Sequence, residues 1–348
     1  MMNNTPLTST QLTVRLALIG LVPLLVMLLF LWGGGWLTPE RLTSDKLVNA
    51  LQQSGGEHPG FRRNHAKGIC VSGEFISSGK ASVISRAALF TPGTTPVIGR
   101  FAIAGGNPSA PDYAVPVRSL ALAFELTDGE QWRTGMNAMP FFPVRSVEGF
   151  YDMQLATRPD PATGKPDPAK VKAFLEKHPE AAPFLAWAKT NVPSGSWASD
   201  RFNSLNAFRM IDKTGNEKLV RWSMVPQTPY QPISAEQKQD KNFLQRDLHQ
   251  RLDQAPLKWD LVITVANAQD DGSDASRAWP AGRQTINAGT LVLNRAVEQA
   301  QGDCNDINYD PLILPDGIAA SNDPLLNARS SAYAKSYNLR TREQAGAH

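Results

Sequence analysis

Two short clusters near opposite ends of the chain carry residue types that can do chemistry. Arg62-Arg63-Asn64-His65 places a histidine among arginines, the makings of a proton shuttle beside fixed cations. Arg329-Ser330-Ser331-Ala332-Tyr333 places a tyrosine four residues after an arginine. On a helix, that spacing puts both side chains on one face. A neighbouring cation favours the charged form of a phenol, so Arg329 can hold Tyr333 as tyrosinate, an anionic metal ligand. Tyrosinate is a rare axial ligand that haem iron does use. The pair points to redox chemistry at haem.

The rest of the chain must position these groups. It has 348 residues, 42% hydrophobic and 19% charged, which suits a packed globular protein. A formal net charge of +3 is too small at this length to argue for nucleic acid. Leu16 to Leu37 contains no charged residue. As a helix it spans about 33 Å at roughly 1.5 Å per residue, enough for a bilayer core. Trp32 and Trp36 sit at its far end, where an aromatic interface belt is expected. We read 1–15 as a tail, 16–37 as a single transmembrane anchor, 38–57 as a linker, 58–341 as the functional domain and 342–348 as a second tail. A cleaved signal peptide is the competing reading of 16–37, but the stretch is long and no clear A-x-A site follows. Arg15 on one side, and Arg41 and Lys46 with Glu40 and Asp45 on the other, do not settle orientation by charge. A short head and a long trailing domain favour a bacterial-type inner membrane with an exported, periplasmic domain. Cleavage would instead release that domain there. Cys70 and Cys304 leave open a disulfide or two buried thiols.

Ser119 to Leu126 alternates Leu120, Leu122, Phe124 and Leu126, a half-buried strand with Asp128-Gly129 as its turn. Phe208–Ile211 and Leu219–Val225 form a hairpin around Thr214-Gly215-Asn216. Trp259–Val265 and Thr290–Asn294 complete the clearest strands. Helices are expected over Pro168–Lys189, broken at Pro179 and Pro183, over Ala235–Leu252, and over Pro324–Lys335 with Arg329 and Tyr333. The class is α+β, built on a barrel or curved sheet with surrounding helices.

Four stretches, in order, resemble the haem catalases, and specifically the small catalase-related peroxidases. They are Phe61–Gly68, Gly99–Gly105 through Phe124, Trp279-Pro280 with Ala288–Arg295, and Tyr309–Ile318 followed by Ser321–Arg340. The resemblance implies a catalase-like antiparallel β-barrel that holds haem b. It implies His65 as distal acid/base, Tyr333 as proximal iron ligand and Arg329 as its counter-ion. Arg62, Arg100 and Arg340 match positions that bind haem propionates, and Phe150 one that stacks on the distal haem face. The implied reaction reduces hydrogen peroxide or an organic hydroperoxide through a ferryl intermediate, with an electron donor that the sequence does not identify.

Two departures bear on the reaction. Counting back from Phe141-Phe142 puts Met136 at the family's catalytic asparagine position, and Asn137 reaches it only with a one-residue shift. The serine expected after Arg100-Phe101 is Ala102. A thinner distal hydrogen-bond set favours peroxidase turnover over peroxide dismutation. Two alternatives keep the haem: conversion of lipid hydroperoxides without a reductant, or a non-catalytic haem sensor. A homo-oligomer is compatible with the sequence but not required by it. His178, before Pro179, reads as a capping or surface residue, and Asp270–Asp274 as a solvated loop rather than a calcium site.

Overall fold

The computed structural model describes residues 8–34, 36–37, 41–127 and 129–346. Glu40, Asp128 and His348 lie outside them. The chain divides into two compact units, 1–46 and 47–348.

In the first unit, helix α1 (Ser9–Gly33) starts earlier than the uncharged stretch, because Thr8 and Gln11 form a reciprocal capping box. It ends at Gly33, short of Leu37, where glycine's poor helix propensity takes over. Arg41 donates to the carbonyls of Trp32 and Gly33 at 3.1 and 3.3 Å, a cation set at the helix's negative end. None of its residues is buried. Its mean hydropathy reaches 2.6, and it is long and apolar enough to cross a membrane.

The second unit opens inside helix α2 (Ser44–Gly55), whose Leu47, Val48 and Ala50 are buried. Residues 47–57 therefore belong to the domain, not to a linker. Among the described residues ten strands follow: β1 Gly68–Ser77, β2 Gly93–Ile103, β3 Arg118–Glu125, β4 Gln131–Asn137, β5 Phe202–Asn203, β6 Phe208–Ile211, β7 Glu217–Pro226, β8 Leu257–Val265, β9 Thr285–Glu298 and β10 Ile318–Ala320. Eight of them close a ring in the order β7-β5-β4-β3-β2-β1-β9-β8, with β7 pairing back to β8. β6 and β10 extend the sheet beside β7. The pairings are antiparallel, as in β1 with β2 and β7 with β8, and closure leaves no free edge around the ring.

Aromatic side chains fill the interior. Phe101 stacks on Trp197 at 5.2 Å, Phe124 on Trp132 at 4.9 Å, and Trp222 lies against both Trp132 and Phe208. Strand alternation decides what points inward. Leu120, Leu122 and Phe124 of β3 and Trp132, Thr134 and Met136 of β4 are essentially inaccessible. The opposite faces of β3 and β4 carry Ser119, Ala121, Gly135 and Asn137, which line a cavity rather than meeting solvent.

Helices α3 (Val147–Ala156), α4 (Pro168–Lys177), α5 (Ala182–Thr190), α6 (Phe243–Leu252) and α7 (Pro324–Ala345) surround the barrel. The prolines break 168–189 where expected, giving α4 and α5. Helix α6 is shorter than predicted, since 235–242 holds only a single 3₁₀ turn. Helix α7 runs ten residues past Lys335, to Ala345, because its last turns are bound to the loop before β1. Arg63 forms a bidentate ion pair with Glu343, Gly60 N–H donates to Glu343 at 2.8 Å, and Gln344 donates to the Gly60 carbonyl at 3.0 Å. The predicted tail at 342–348 is thus structural through Ala345.

His178 is buried, not superficial: it closes α4 and bonds Asp152 at 2.9 Å. Asp270 pairs with Arg283, and no cluster of metal-ligating side chains occurs among the described residues. Cys70 and Cys304 form a disulfide with Cα atoms 5.4 Å apart, which resolves the alternatives left by the sequence. It joins residues 234 apart, so replacing both cysteines by serine should lower the unfolding free energy by about 2–5 kcal/mol. Denaturant melts of the oxidised chain and of the Cys70→Ser/Cys304→Ser variant measure this, and coincident midpoints would contradict it.

Candidate active site

The loop between α2 and β1 delivers the histidine. His65 has φ +55°, a strained conformation for a non-glycine residue, of the kind that collects at functional sites. Asn64 holds it there: its Oδ1 accepts from His65 N–H at 2.9 Å and from Gly105 N–H at 2.7 Å. The imidazole faces a cavity and is otherwise enclosed by protein. Its Nδ1 lies 3.0 Å from Ser119 Oγ, and that hydroxyl can donate to the Ala102 carbonyl at 3.4 Å. With the hydroxyl proton so engaged, Nδ1 carries the ring proton and Nε2 is left as the base. Burial first, then Arg100 and Arg329, push the His65 pKa down to about 3, so the ring is neutral at physiological pH.

Three arginines share the same cavity. Arg62 donates to the carbonyls of Cys304, Asn305 and Ile307 at 2.9, 3.3 and 3.1 Å. Arg100 reaches the His65 and Ala66 carbonyls at 2.8 and 3.1 Å and also bonds Gln299. Gly68 makes that possible, since any Cβ there would collide with the Arg100 guanidinium. Arg340, 2% exposed, keeps two nitrogens without a partner, as Arg62 keeps one. Burial and mutual repulsion hold Arg62 well below its ordinary pKa and bring Arg100 to about 10, still charged near neutrality. Among the described residues, no carboxylate forms an ion pair with Arg62, Arg100 or Arg340. An anionic ligand edge is what this wall lacks.

The tyrosine comes from α7. Asp323 caps that helix through Leu325 N–H at 2.9 Å, and Pro324 takes its first position. Arg329, Tyr333, Ser336, Tyr337 and Arg340 then fall on one face and line the cavity. Arg329 stands 5.8 Å from the Tyr333 ring centre and donates to the Gly135 carbonyl at 3.1 Å. It also donates to Asn206 Oδ1, while Asn206 Nδ2 donates to Asp323 Oδ2 at 2.7 Å. Asn206 thereby couples the helix cap to the cation beside Tyr333. Its neighbour Leu205 has φ +64°, the second strained non-glycine backbone among the described residues.

All eight residues singled out in the sequence, His65, Asn137, Arg62, Arg100, Phe150, Arg329, Arg340 and Tyr333, line this one cavity. Phe150 of α3 lies 5.8 Å from Phe142. The register corrects both departures noted above. Strand parity packs Met136 into the barrel core, where it still borders the cavity, and puts Asn137 on the cavity face with its Oδ1 buried without a partner. Ala102 pairs directly across the sheet with Ser119, so the hydroxyl missing from β2 arrives from β3. The argument from a thin distal set therefore loses its support. Sequence reasoning passed over Ser119, Asn206 and Tyr309. For Ser119 a usable cue existed, because it shares a strand face with small Ala121 and Ala123. Asn206 carried no motif of its own, and Tyr309 was read only as the first residue of a matching stretch.

The donor set fits haem: cations, paired by no carboxylate, for propionates; a floor of small residues; and a phenol and a histidine lining the same cavity. Two consequences can be measured on the chain without added haem. Between pH 6.5 and about 3 the unfolded chain protonates His65 and the folded chain does not. Stability from the neutral ring is therefore complete above pH 6.5 and falls as pH drops through that window, by about 1.4 kcal/mol per unit. His65→Gln should flatten this slope in denaturant melts at pH 7 and pH 5, and an unchanged slope would remove the assignment. Asn206→Ala, which strands both Asp323 and Arg329, should cost about 2–3 kcal/mol by the same measurement, against about 1 kcal/mol for Ser119→Ala.

Comparison with known proteins covers the same region. A family model described as Catalase matches residues 38–345. A catalase-related peroxidase of Synechococcus elongatus is 43% identical over 303 residues, 86% of this chain and 89% of that protein. One of Mycolicibacterium paratuberculosis is 32% identical over 88% of this chain and 97% of its own length. Among solved structures, a bacterial catalase superposes with a TM-score of 0.72 at 23% identity, covering 82% of this chain and 58% of the other. A fungal catalase superposes at 0.74 and 20%, covering 82% and 60%. The family match, the relatives and the eight-stranded barrel with its cavity agree: this chain belongs to the catalase family.

Proposed function

We propose that the domain is a haem b-dependent peroxidase, reducing hydrogen peroxide or an organic hydroperoxide with electrons from an external donor. The observation that carries this reading is a single cavity lined by His65 and Asn137 from one set of elements, by Tyr333 and Arg329 from another, and by arginines that no carboxylate pairs. Arg62, Arg100 and Arg340 would hold the propionates, Tyr333 would ligate the iron, and Phe150 would lie against the ring. Bound haem supplies the redox chemistry.

The chain's own residues manage protons and orientation. Nε2 of neutral His65 accepts the hydroperoxide proton and returns it to the departing oxygen. Ser119 keeps the ring's other nitrogen protonated and fixes its plane. The unpartnered Oδ1 of Asn137 can accept from a peroxide O–H, and would otherwise remain a costly buried acceptor. Arg329, held by Asn206 and Gly135, places its guanidinium 5.8 Å from the Tyr333 ring centre. Leu47, Val48, Leu51, Phe142 and Val147 give the cavity an apolar wall, which supports organic hydroperoxides as substrates.

We further propose that α1 tethers the domain to a bacterial-type inner membrane with the domain in the periplasm. The Cys70–Cys304 disulfide supports this, because such bonds persist in oxidising compartments.

Haem added to the purified chain should give a Soret band that Tyr333→Phe abolishes or grossly alters. No band in the unsubstituted chain, or an unaltered spectrum in the variant, overturns the cofactor assignment. His65→Ala should retain haem and slow the reaction with peroxide by about 10²–10⁴-fold, read by stopped-flow absorbance. Oxygen evolution from peroxide alone, set beside donor oxidation in the same preparation, separates dismutation from peroxidase turnover.

A further inference from the structure

One group in the cavity wall takes no part in proton transfer or in the proximal network. Tyr309 is 4% exposed, and its hydroxyl is buried with no hydrogen-bond partner. Its ring packs in a small apolar cluster with Cys70, Ala123 and Cys304, where phenylalanine would serve equally well. A buried hydroxyl with nothing to bond is unfavourable, so the oxygen needs another explanation.

The surroundings supply one. Tyr309 lies in the segment whose Cys304, Asn305 and Ile307 carbonyls hold Arg62, and the disulfide fixes that segment to β1. Arg62 and Arg100 are the cations that act on the phenol most strongly, yet burial outweighs them and keeps its pKa raised. A phenol hydroxyl is a hydrogen-bond donor. Arg62 Nη1 is also buried without a partner. Two unsatisfied donors, one neutral and one cationic, thus line the same cavity, and among the described residues no carboxylate pairs with Arg62. The shared partner that fits both is an anionic oxygen.

We propose that Tyr309 is a carboxylate-binding residue, its hydroxyl donating to an acid group of the cofactor alongside Arg62 Nη1. The inference rests on the haem reading above. In the complex a charge-assisted hydrogen bond forms where the free chain has an unpaired donor.

The test compares haem with its dimethyl ester, which keeps the ring and iron but lacks the carboxylates. Dissociation into an excess of a haem-scavenging globin is followed by absorbance for the full chain and for Tyr309→Phe. The unsubstituted chain should release the ester faster than haem. Tyr309→Phe should release haem about tenfold faster than the unsubstituted chain while leaving release of the ester unchanged. Equal loss of both ligands, or no change in either, overturns the proposal. An unsubstituted chain that holds haem and ester equally well also overturns it, without needing the variant to fold. A chain that binds neither ligand shows instead that the haem reading has failed.

Discussion

Positive charge buried without matching negative charge is the constraint around which this domain is built. Arg62, Arg100 and Arg340 sit together in a protein-walled cavity, where repulsion between like charges is only weakly screened. Folding tolerates them because backbone carbonyls accept from Arg62 and Arg100, and because Gly68 leaves space for one guanidinium to turn back beneath the chain. Those carbonyls neutralise no charge. The fold therefore carries an electrostatic demand that its own side chains do not meet, and the floor of the cavity is correspondingly bare, with serine, alanine and glycine where larger residues would block access.

The two reactive ends of the chain depend directly on one another. Arg63 and Gly60, beside His65, are bonded to Glu343 and Gln344 at the end of the helix that carries Tyr333. Arg63 N–H also meets Ser336 on that helix at 3.3 Å. Displacing the helix would pull on the loop that holds His65 in its strained conformation. The barrel supplies the floor, but these contacts fix the helix that carries Tyr333 to the loop that carries His65.

Much of this was legible in the sequence for local reasons. The i, i+4 spacing of Arg329 and Tyr333 is helix geometry, and alternation in 119–126 is strand geometry; both survive any tertiary context. The misreadings came where register or distant partners decide. One residue of slip moves a strand side chain to the opposite face, so counting from Phe141-Phe142 exchanged Met136 and Asn137. Ser119 replaces a hydroxyl absent from Ala102 only because β2 and β3 pair at that register. Asn206 joins Asp323 to Arg329 across more than a hundred residues. Helix α7 outruns its prediction because one ion pair and two hydrogen bonds from a remote loop hold its last turns, and 235–242 falls short because polar periodicity alone does not fold a helix.

The disulfide has a topological consequence. Cys70, inside β1, and Cys304, after β9, enclose β2 to β9 and most of β1, so the barrel is a covalently closed loop. His65 lies a few residues before one cysteine and Tyr333 in the helix after the other. Both reactive groups hang from the neck of that loop rather than from its body. With the cross-link formed, even a chain whose strands have separated keeps its histidine and tyrosine joined through arms of 5 and 29 residues, and their effective concentration is set by those arms and not by the length of the barrel.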